Sequence, residues 1–196
     1  ECANGATSYV APEVFRRLGA NVHTLNSTPN GININDSYEY LDPVTLRDRV
    51  IQIGADVGFA FDGDGDRVVM INASGDILDG DDILALLAIA MNQQGRLPHS
   101  TIATTNMSNL GLASTLRRHG IKVIESDRVG DKYVLSRMLQ ENLGLGGERA
   151  GHILILDGVN TTGDGIYTAI TVLRSILSKR LLTDLSGLMP AIDRYP

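Results

Sequence analysis

The sequence holds one cysteine, Cys2, among its 196 residues, which excludes a disulfide framework and makes a reducing, cytoplasmic setting the expectation. Cys2 also has no neighbouring His or Asp to activate it as a nucleophile. Long apolar runs are missing: the longest, Ile83 to Met91, is far too short to span a bilayer, so no membrane partner is expected. No positively charged leader precedes an apolar segment, which removes a secretion signal from the reading. Basic residues are the minority, and the net charge of −6 leaves no basic stripe for a nucleic acid. Neither a G-x-S-x-G elbow nor a G-x-x-x-x-G-K-[ST] loop occurs, so neither a serine-hydrolase nor a Walker-type nucleotide site is supported. What remains is 43% apolar, enough for a sizeable core in one or two domains.

Against that background one run stands out, Asp62-Gly63-Asp64-Gly65-Asp66-Arg67. It follows Ala55 to Phe61, an apolar stretch that reads as a buried strand. Alternate side chains of an extended chain share a face, so the three aspartates point the same way. Carboxylates crowded together repel one another unless a cation neutralises them, and oxygen-only ligands suit a hard ion such as Mg²⁺. The glycines allow a tight bend, and Arg67 places a fixed positive charge where a phosphate oxygen would sit. A calcium EF-hand also begins D-x-D-x-D, but its sixth and twelfth positions need Gly and Glu, and here hold Arg67 and Ala73. The alternative is a solvated acidic turn.

Strand-like and helix-like segments alternate along the chain, which predicts an α/β fold with partly antiparallel, mixed sheets. Val10, Val14 and Leu18 mark a helix over 6–18 that stops at Gly19, and 21–25 reads as a strand. Residues 28–35 read as a polar loop, and Asp42-Pro43 as the cap and first residue of a helix to about Ile53. Strands at 55–61, 67–72 and 77–78 follow, the last two as a hairpin around 73–76. Asp79 to Asp82 caps a helix over 83–94. Beyond it we expect a strand at 101–105, a helix at 108–119 capped by Ser108 or Asn109, and a strand at 122–126. A helix at 131–141, a Gly-rich turn at 143–151, a strand at 152–156 and a helix over 165–179 complete the reading. The boundaries drawn are one domain over 1–76, a second over 77–190 and a linker over 191–196. Both ends read as interior chain, Glu1 to Gly5 as the tail of a strand and 189–196 as a linker, so a middle piece of a longer protein is expected.

A second chemical cluster is Gly146-Gly147-Glu148-Arg149-Ala150-Gly151-His152. Its Glu can accept hydrogen bonds from sugar hydroxyls and its His can sit near a reacting oxygen, though a plain β-turn gives the same pattern. The Gly-rich run 161–165 precedes the last helix, where Thr161 or Asp164 is read as a cap in preference to an anion site. His23, His99 and His119 lack ligand-like partners at useful spacing.

Phe61-Asp-Gly-Asp-Gly-Asp-Arg67 together with Gly147-Glu-x-x-Gly-His152 resembles the α-D-phosphohexomutase family. Cys2-Ala-Asn-Gly-Ala6, Pro29 to Asn35, Met107 to Gly111, Val129 to Val134 and Thr161 to Gly165 extend the resemblance over nearly the whole chain, in the family's order. The resemblance implies the second and third of four domains around a cleft, each a three-layer α/β/α unit. It implies that Asp62, Asp64 and Asp66 hold Mg²⁺, that Arg67 steadies the transferring phosphoryl group, and that Glu148, Arg149 and Ala150 face the sugar. His152 would assist proton transfer. The phosphoserine of the first domain and a phosphate-binding loop of the fourth would lie outside these 196 residues, which predicts no turnover by this chain alone, with a homodimer as one option for its assembly. The finest match is to members that interconvert glucosamine 6-phosphate and glucosamine 1-phosphate through a bisphosphorylated sugar, for amino-sugar and cell-wall precursor synthesis. The rivals are the same chemistry on another hexose phosphate, and a non-catalytic module that binds metal or sugar phosphate. Two positions depart from the family: Ala150 stands where Ser is usual, and Arg149 where Gln, Asn or Met is usual.

Overall fold

The computed structural model describes residues 1–36, 43–158, 160, 162–177, 192 and 194. Its first part holds α1 (Thr7–Arg17), α2 (Pro43–Ile53), β1 (Val57–Phe61), β2 (Val68–Asn72) and β3 (Ile77–Leu78). The strands form an antiparallel sheet in the order β1-β2-β3, with Phe61 opposite Val68. The period of two sorts their side chains. Ala60, Val69 and Ile71 pack with Leu46 and Val50 of α2, while Phe61, Val68 and Met70 join the main core on the other face. There Phe15 of α1 stacks on Phe59 of β1, with ring centroids 5.7 Å apart.

The second part runs α3 (Gly80–Gln93), β4 (Thr101–Thr104), α4 (Leu110–Arg118), β5 (Lys122–Glu125), α5 (Asp131–Gln140), β6 (Leu145–Gly147), β7 (Ile153–Ile155) and α6 (Gly165–Leu177). Its sheet has the order β5-β4-β6-β7; the first three strands are parallel and β7 is antiparallel to β6. Val134 and Met138 of α5 pack with Ala103 and Leu154 on one face, and Ile102, Leu145 and Ile153 face the main core. The result is two three-layer α/β/α units, one with an antiparallel and one with a mixed sheet. Asp79 starts α3 with a reciprocal capping box: its side chain accepts from the Asp82 backbone while Asp82 Oδ2 accepts from the Asp79 N–H at 3.1 Å. From Ile83 to Met91 the helix is apolar all round and buried at every residue. It therefore shares a core with Phe61 and Met70 of the first sheet and with Leu145 and Ile153 of the second. No helix among the described residues is long and apolar enough to cross a membrane.

Three expectations need correction. Residues 21–25 form no strand: the backbone at Glu1 pairs with Phe59 and Phe61 of β1, and only the Leu25 carbonyl, at the end of the segment, accepts from the Cys2 N–H. The helix over 7–17 buries Ser8, Ala11, Pro12 and Phe15, leaving Val10 53% and Leu18 62% exposed, because the Phe15–Phe59 stack decides which stripe faces the sheet. The Gly-rich turn at 143–151 contains a strand, β6, whose glycines permit close approach: a Cβ on Gly146 would lie 2.6 Å from Met138 Sδ and 2.9 Å from the Ala103 carbonyl. The proposed caps Asp42 and Thr161, the end of the last helix at Lys179 and most of 189–196 lie outside the described residues.

Candidate functional site

Residues 62–67 form the loop of the β1–β2 hairpin. Asp62, only 4% exposed, folds back so that its Oδ1 accepts from the backbone N–H groups of Gly65 at 3.2 Å and Arg67 at 3.1 Å. Gly65 takes φ +81, which closes the bend. One carboxylate oxygen from each of Asp62, Asp64 and Asp66 lies within 4.8 Å of the others, and Asp64 is exposed. Burial pushes the Asp62 carboxyl up to about 6; the Arg67 N–H opposes this, and the charges of Asp66 and Asp64 push the same way as burial. Arg67 Nε stands 3.9 Å from Asp62 Oδ2 and 3.7 Å from Asp66 Oδ1. The loop opens on a cleft of about 420 Å³ lined also by Ile34 and Asn35.

Three distant segments brace this loop. The Ala6 N–H donates to the Gly63 carbonyl at 2.8 Å, and a Cβ on Gly5 would come within 2.2 Å of that oxygen. The Asn35 amide sits where a Cβ on Gly63 would meet it at 2.8 Å. The Gly165 N–H donates to the Gly65 carbonyl at 2.9 Å, so the start of α6 presses on the loop. Asp164 caps that helix, accepting from the Tyr167 N–H at 2.8 Å, and Asn109 caps α4 through the Gly111 N–H at 2.9 Å.

The second cluster turns between β6 and β7. The Glu148 N–H donates to the His152 carbonyl and the Gly151 N–H to the Glu148 carbonyl, both at 3.0 Å. Glu148 Oε1 accepts from the Gly130 N–H at 3.0 Å, and Gly130 holds φ +125, a conformation side chains resist. Arg149 is exposed and pairs with Asp79 Oδ2 at 3.2 Å, an oxygen that also pairs with Arg194 at 2.9 Å. Ala150 is exposed at the tip.

The two clusters meet at His152. Its Nδ1 lies 3.2 Å from Asp66 Oδ2, its backbone bridges to Arg67, and the Val68 N–H donates to the Gly151 carbonyl at 3.1 Å. The fold thus gathers Asp62, Asp64, Asp66, Arg67 and His152 into one group, while Glu148 and Arg149 are tied to Gly130 and Asp79. Sequence reasoning gave no role to Gly5, Asn35, Gly130 or Gly165. Each lies in a motif quoted above for the resemblance, which was the available signal.

Three converging carboxylates, one of them the buried Asp62 with its raised affinity for protons, fit a hard divalent cation, and among the described residues no other such cluster occurs. The sequence pattern of the phosphoglucomutase/phosphomannomutase α/β/α domain II matches residues 1–75, and that of domain III matches residues 79–195. The chain therefore belongs to the phosphoglucomutase/phosphomannomutase family of sugar-phosphate enzymes.

Within it, the chain is 45% identical to a phosphoglucosamine mutase of Anoxybacillus flavithermus over all of its own length and 43% of the relative's. It is 48% identical to a phosphoglucosamine mutase of Acidothermus cellulolyticus, covering 95% of this chain and 40% of that protein. The structure of a phosphoglucomutase/phosphomannomutase family protein from Burkholderia thailandensis superposes with a TM-score of 0.84 at 26% identity, covering 100% of this chain and 42% of that one. The chain thus spans less than half the length of the curated relatives it matches.

Proposed function

We propose that this chain supplies the cation-binding and sugar-binding parts of a phosphosugar mutase that interconverts glucosamine 6-phosphate and glucosamine 1-phosphate. The observation that carries the reading is the convergence of Asp62, Asp64 and Asp66 beside Arg67, in contact through His152 with the hairpin that bears Glu148. Asp62, Asp64 and Asp66 would hold Mg²⁺, which when bound neutralises charge on a phosphoryl group in transfer. Arg67 stands at the same cleft, and its guanidinium is suited to a phosphoryl oxygen. Glu148 uses Oε1 on Gly130 and keeps Oε2 for a sugar hydroxyl. Ala150 offers no hydroxyl, and Arg149 lies beside it at the sugar end, anchored on Asp79. The phosphoserine and the distal phosphate loop implied by the resemblance belong to other domains of such enzymes, so the 196-residue chain alone is expected to show no turnover.

The test is a full-length protein carrying this chain, assayed with Mg²⁺ on glucosamine 1-phosphate and on glucose 1-phosphate at equal concentrations. Preference for the amino sugar supports the proposal. Preference for glucose phosphate keeps the chemistry and changes the substrate, at the loop where Ala150 and Arg149 depart from the family. No turnover of either by folded, phosphorylated protein points to a binding module.

Two further outcomes follow from the geometry. Glu148→Gln removes the charge that strengthens its hydrogen bonds, so KM for the sugar phosphate should rise about tenfold while the Mn²⁺ affinity, read by calorimetry, stays put. Lowering the pH from 7.5 through 6 should weaken Mn²⁺ binding, because a cation must displace the proton that Asp62 holds below about 6. The same shift, upward from 3.8, means that Asp62 contributes stability fully present below about 3.8 and lost as pH rises through about 6. Added Mn²⁺ should therefore raise Tm more at pH 7.5 than at pH 5.

A further inference from the structure

We propose that Ile32, held out on the loop over 28–35 beside the aspartate cleft, is a docking point for the part of the same polypeptide that brings the phosphoryl group to that cleft. The proposal rests on the mutase reading above. Ile32 is 88% exposed and Ile34 53%, the first being the most exposed large apolar side chain among the described residues. The loop is organised without a partner. Asn30 Oδ1 accepts from the N–H groups of Ile32 and Asn33, both at 3.0 Å, and Asn33 Oδ1 accepts from the Asn30 N–H at 2.9 Å. Asn4 ties the loop to the chain just before α1: its Oδ1 accepts from the Thr28 N–H at 3.1 Å and its Nδ2 donates to the Asn33 carbonyl at 3.3 Å. Gly31, at φ +94, makes the bend that lifts Ile32. A fixed apolar tip of this kind docks without losing backbone freedom.

The occupant follows from the surroundings of the tip. Ile34 lines the cleft, and its Cδ1 lies 3.0 Å from where a Cβ on Gly63 would stand, so a body that covers Ile32 and Ile34 also reaches the cleft. Among the described residues that line the cleft, none has a hydroxyl or imidazole to carry a phosphoryl group. Under the mutase reading the carrier therefore comes from outside these residues, over the rim that Ile32 marks. The chain spans 43% of a relative to which it is 45% identical, so in such proteins more than half of the polypeptide is available to be that body. Residues 28–35 carry no charge, which suits an apolar socket on a protein and gives a nucleic acid nothing to pair with.

The test is hydroxyl-radical footprinting of folded full-length protein carrying this chain, with the urea-unfolded protein as reference. Burying an isoleucine favours docking by about 10–100-fold, so Ile32 and Ile34 should react at about one-tenth of the unfolded rate or less. In Ile32→Asp, Ile34 should react close to the unfolded rate. Ile32 reacting at that rate in the wild type overturns the proposal, and this readout decides alone should Ile32→Asp fail to fold. Shielding that disappears on dilution also overturns it, because a second copy is then the cover. Turnover reads the consequence. Ile32→Asp should lose about tenfold or more in kcat, on whichever hexose phosphate the wild type converts, while Ile32→Val stays within about twofold. Mn²⁺ affinity, read by calorimetry, should be the same in all three proteins. Full turnover by Ile32→Asp overturns the docking. Shielding of Ile32 in a wild type that converts no sugar phosphate would support the docking and remove the mutase reading, so the two fail separately.

Discussion

Asp64→Asn is expected to lower the divalent-cation affinity of the chain by about 100-fold or more, beyond the usual effect of losing a group that only supports a ligand. The same substitution should leave the cation-free fold intact or slightly more stable. Asp64 is exposed, so no core contact is lost, and its charge helps to push the Asp62 carboxyl upward. Removing that charge relieves repulsion within a loop where Asp62 is already buried. Binding and stability therefore move in opposite directions. A solvated acidic turn without a cation would show a small stability change and no binding to lose. Calorimetry with Mn²⁺ and a urea titration on the same sample separate the two, and unchanged Mn²⁺ affinity would remove Asp64 from the metal site.

Gly80→Ala is expected to destabilise the fold strongly. Helix propensity alone says that alanine at the first residue of α3 should stabilise by up to about 1 kcal/mol. Packing says the opposite. A Cβ at this position would sit 2.1 Å from the Glu148 carbonyl oxygen, 2.7 Å from the Gly151 nitrogen and 2.9 Å from the Arg149 carbonyl oxygen. All three are backbone atoms of the turn between β6 and β7, and the Gly80 N–H itself donates to the Arg149 carbonyl at 3.0 Å. Relief requires the whole hairpin to move, so a loss of about 3 kcal/mol is expected, at the upper end for overpacking. The displaced Glu148 should also raise KM for a sugar phosphate. A Tm at or above wild type would show that the hairpin does not lie against α3 as described.

The parts of this molecule that sequence made legible are those fixed by near neighbours. The aspartate loop is one, since Asp62, Asp64 and Asp66 and both intervening glycines lie within one hairpin turn. The caps at Asp79, Asn109 and Asp164 are another, because a cap acts on backbone two or three residues away. Contacts between distant segments were not legible. Nothing local to His152 says that its ring meets Asp66, and nothing in Val129-Gly130-Asp131 says that this N–H goes to Glu148. Residues 21–25 look like a strand in isolation, but a strand needs a ladder, and the backbone at Glu1 pairs with β1 instead. The stripe of α1 failed for a related reason, since spacing shows that a helix has an apolar face but not which face Phe59 will claim. The resemblance supplied the order of the motifs; the fold shows how Gly5, Asn35 and Gly165 use theirs to brace the aspartate loop.

The activity proposed above is a cation-dependent phosphoryl exchange on an amino-sugar phosphate, and one measurement addresses it directly. Glucosamine 6-phosphate is incubated with folded, phosphorylated full-length protein carrying this chain, and ³¹P NMR follows the phosphate resonances before and after chelation of Mg²⁺. We expect the glucosamine 1-phosphate signal to grow with Mg²⁺ present and to stop growing when the ion is removed. Conversion that continues unchanged after chelation would remove the cation's role, and no conversion with Mg²⁺ present would overturn the proposed activity.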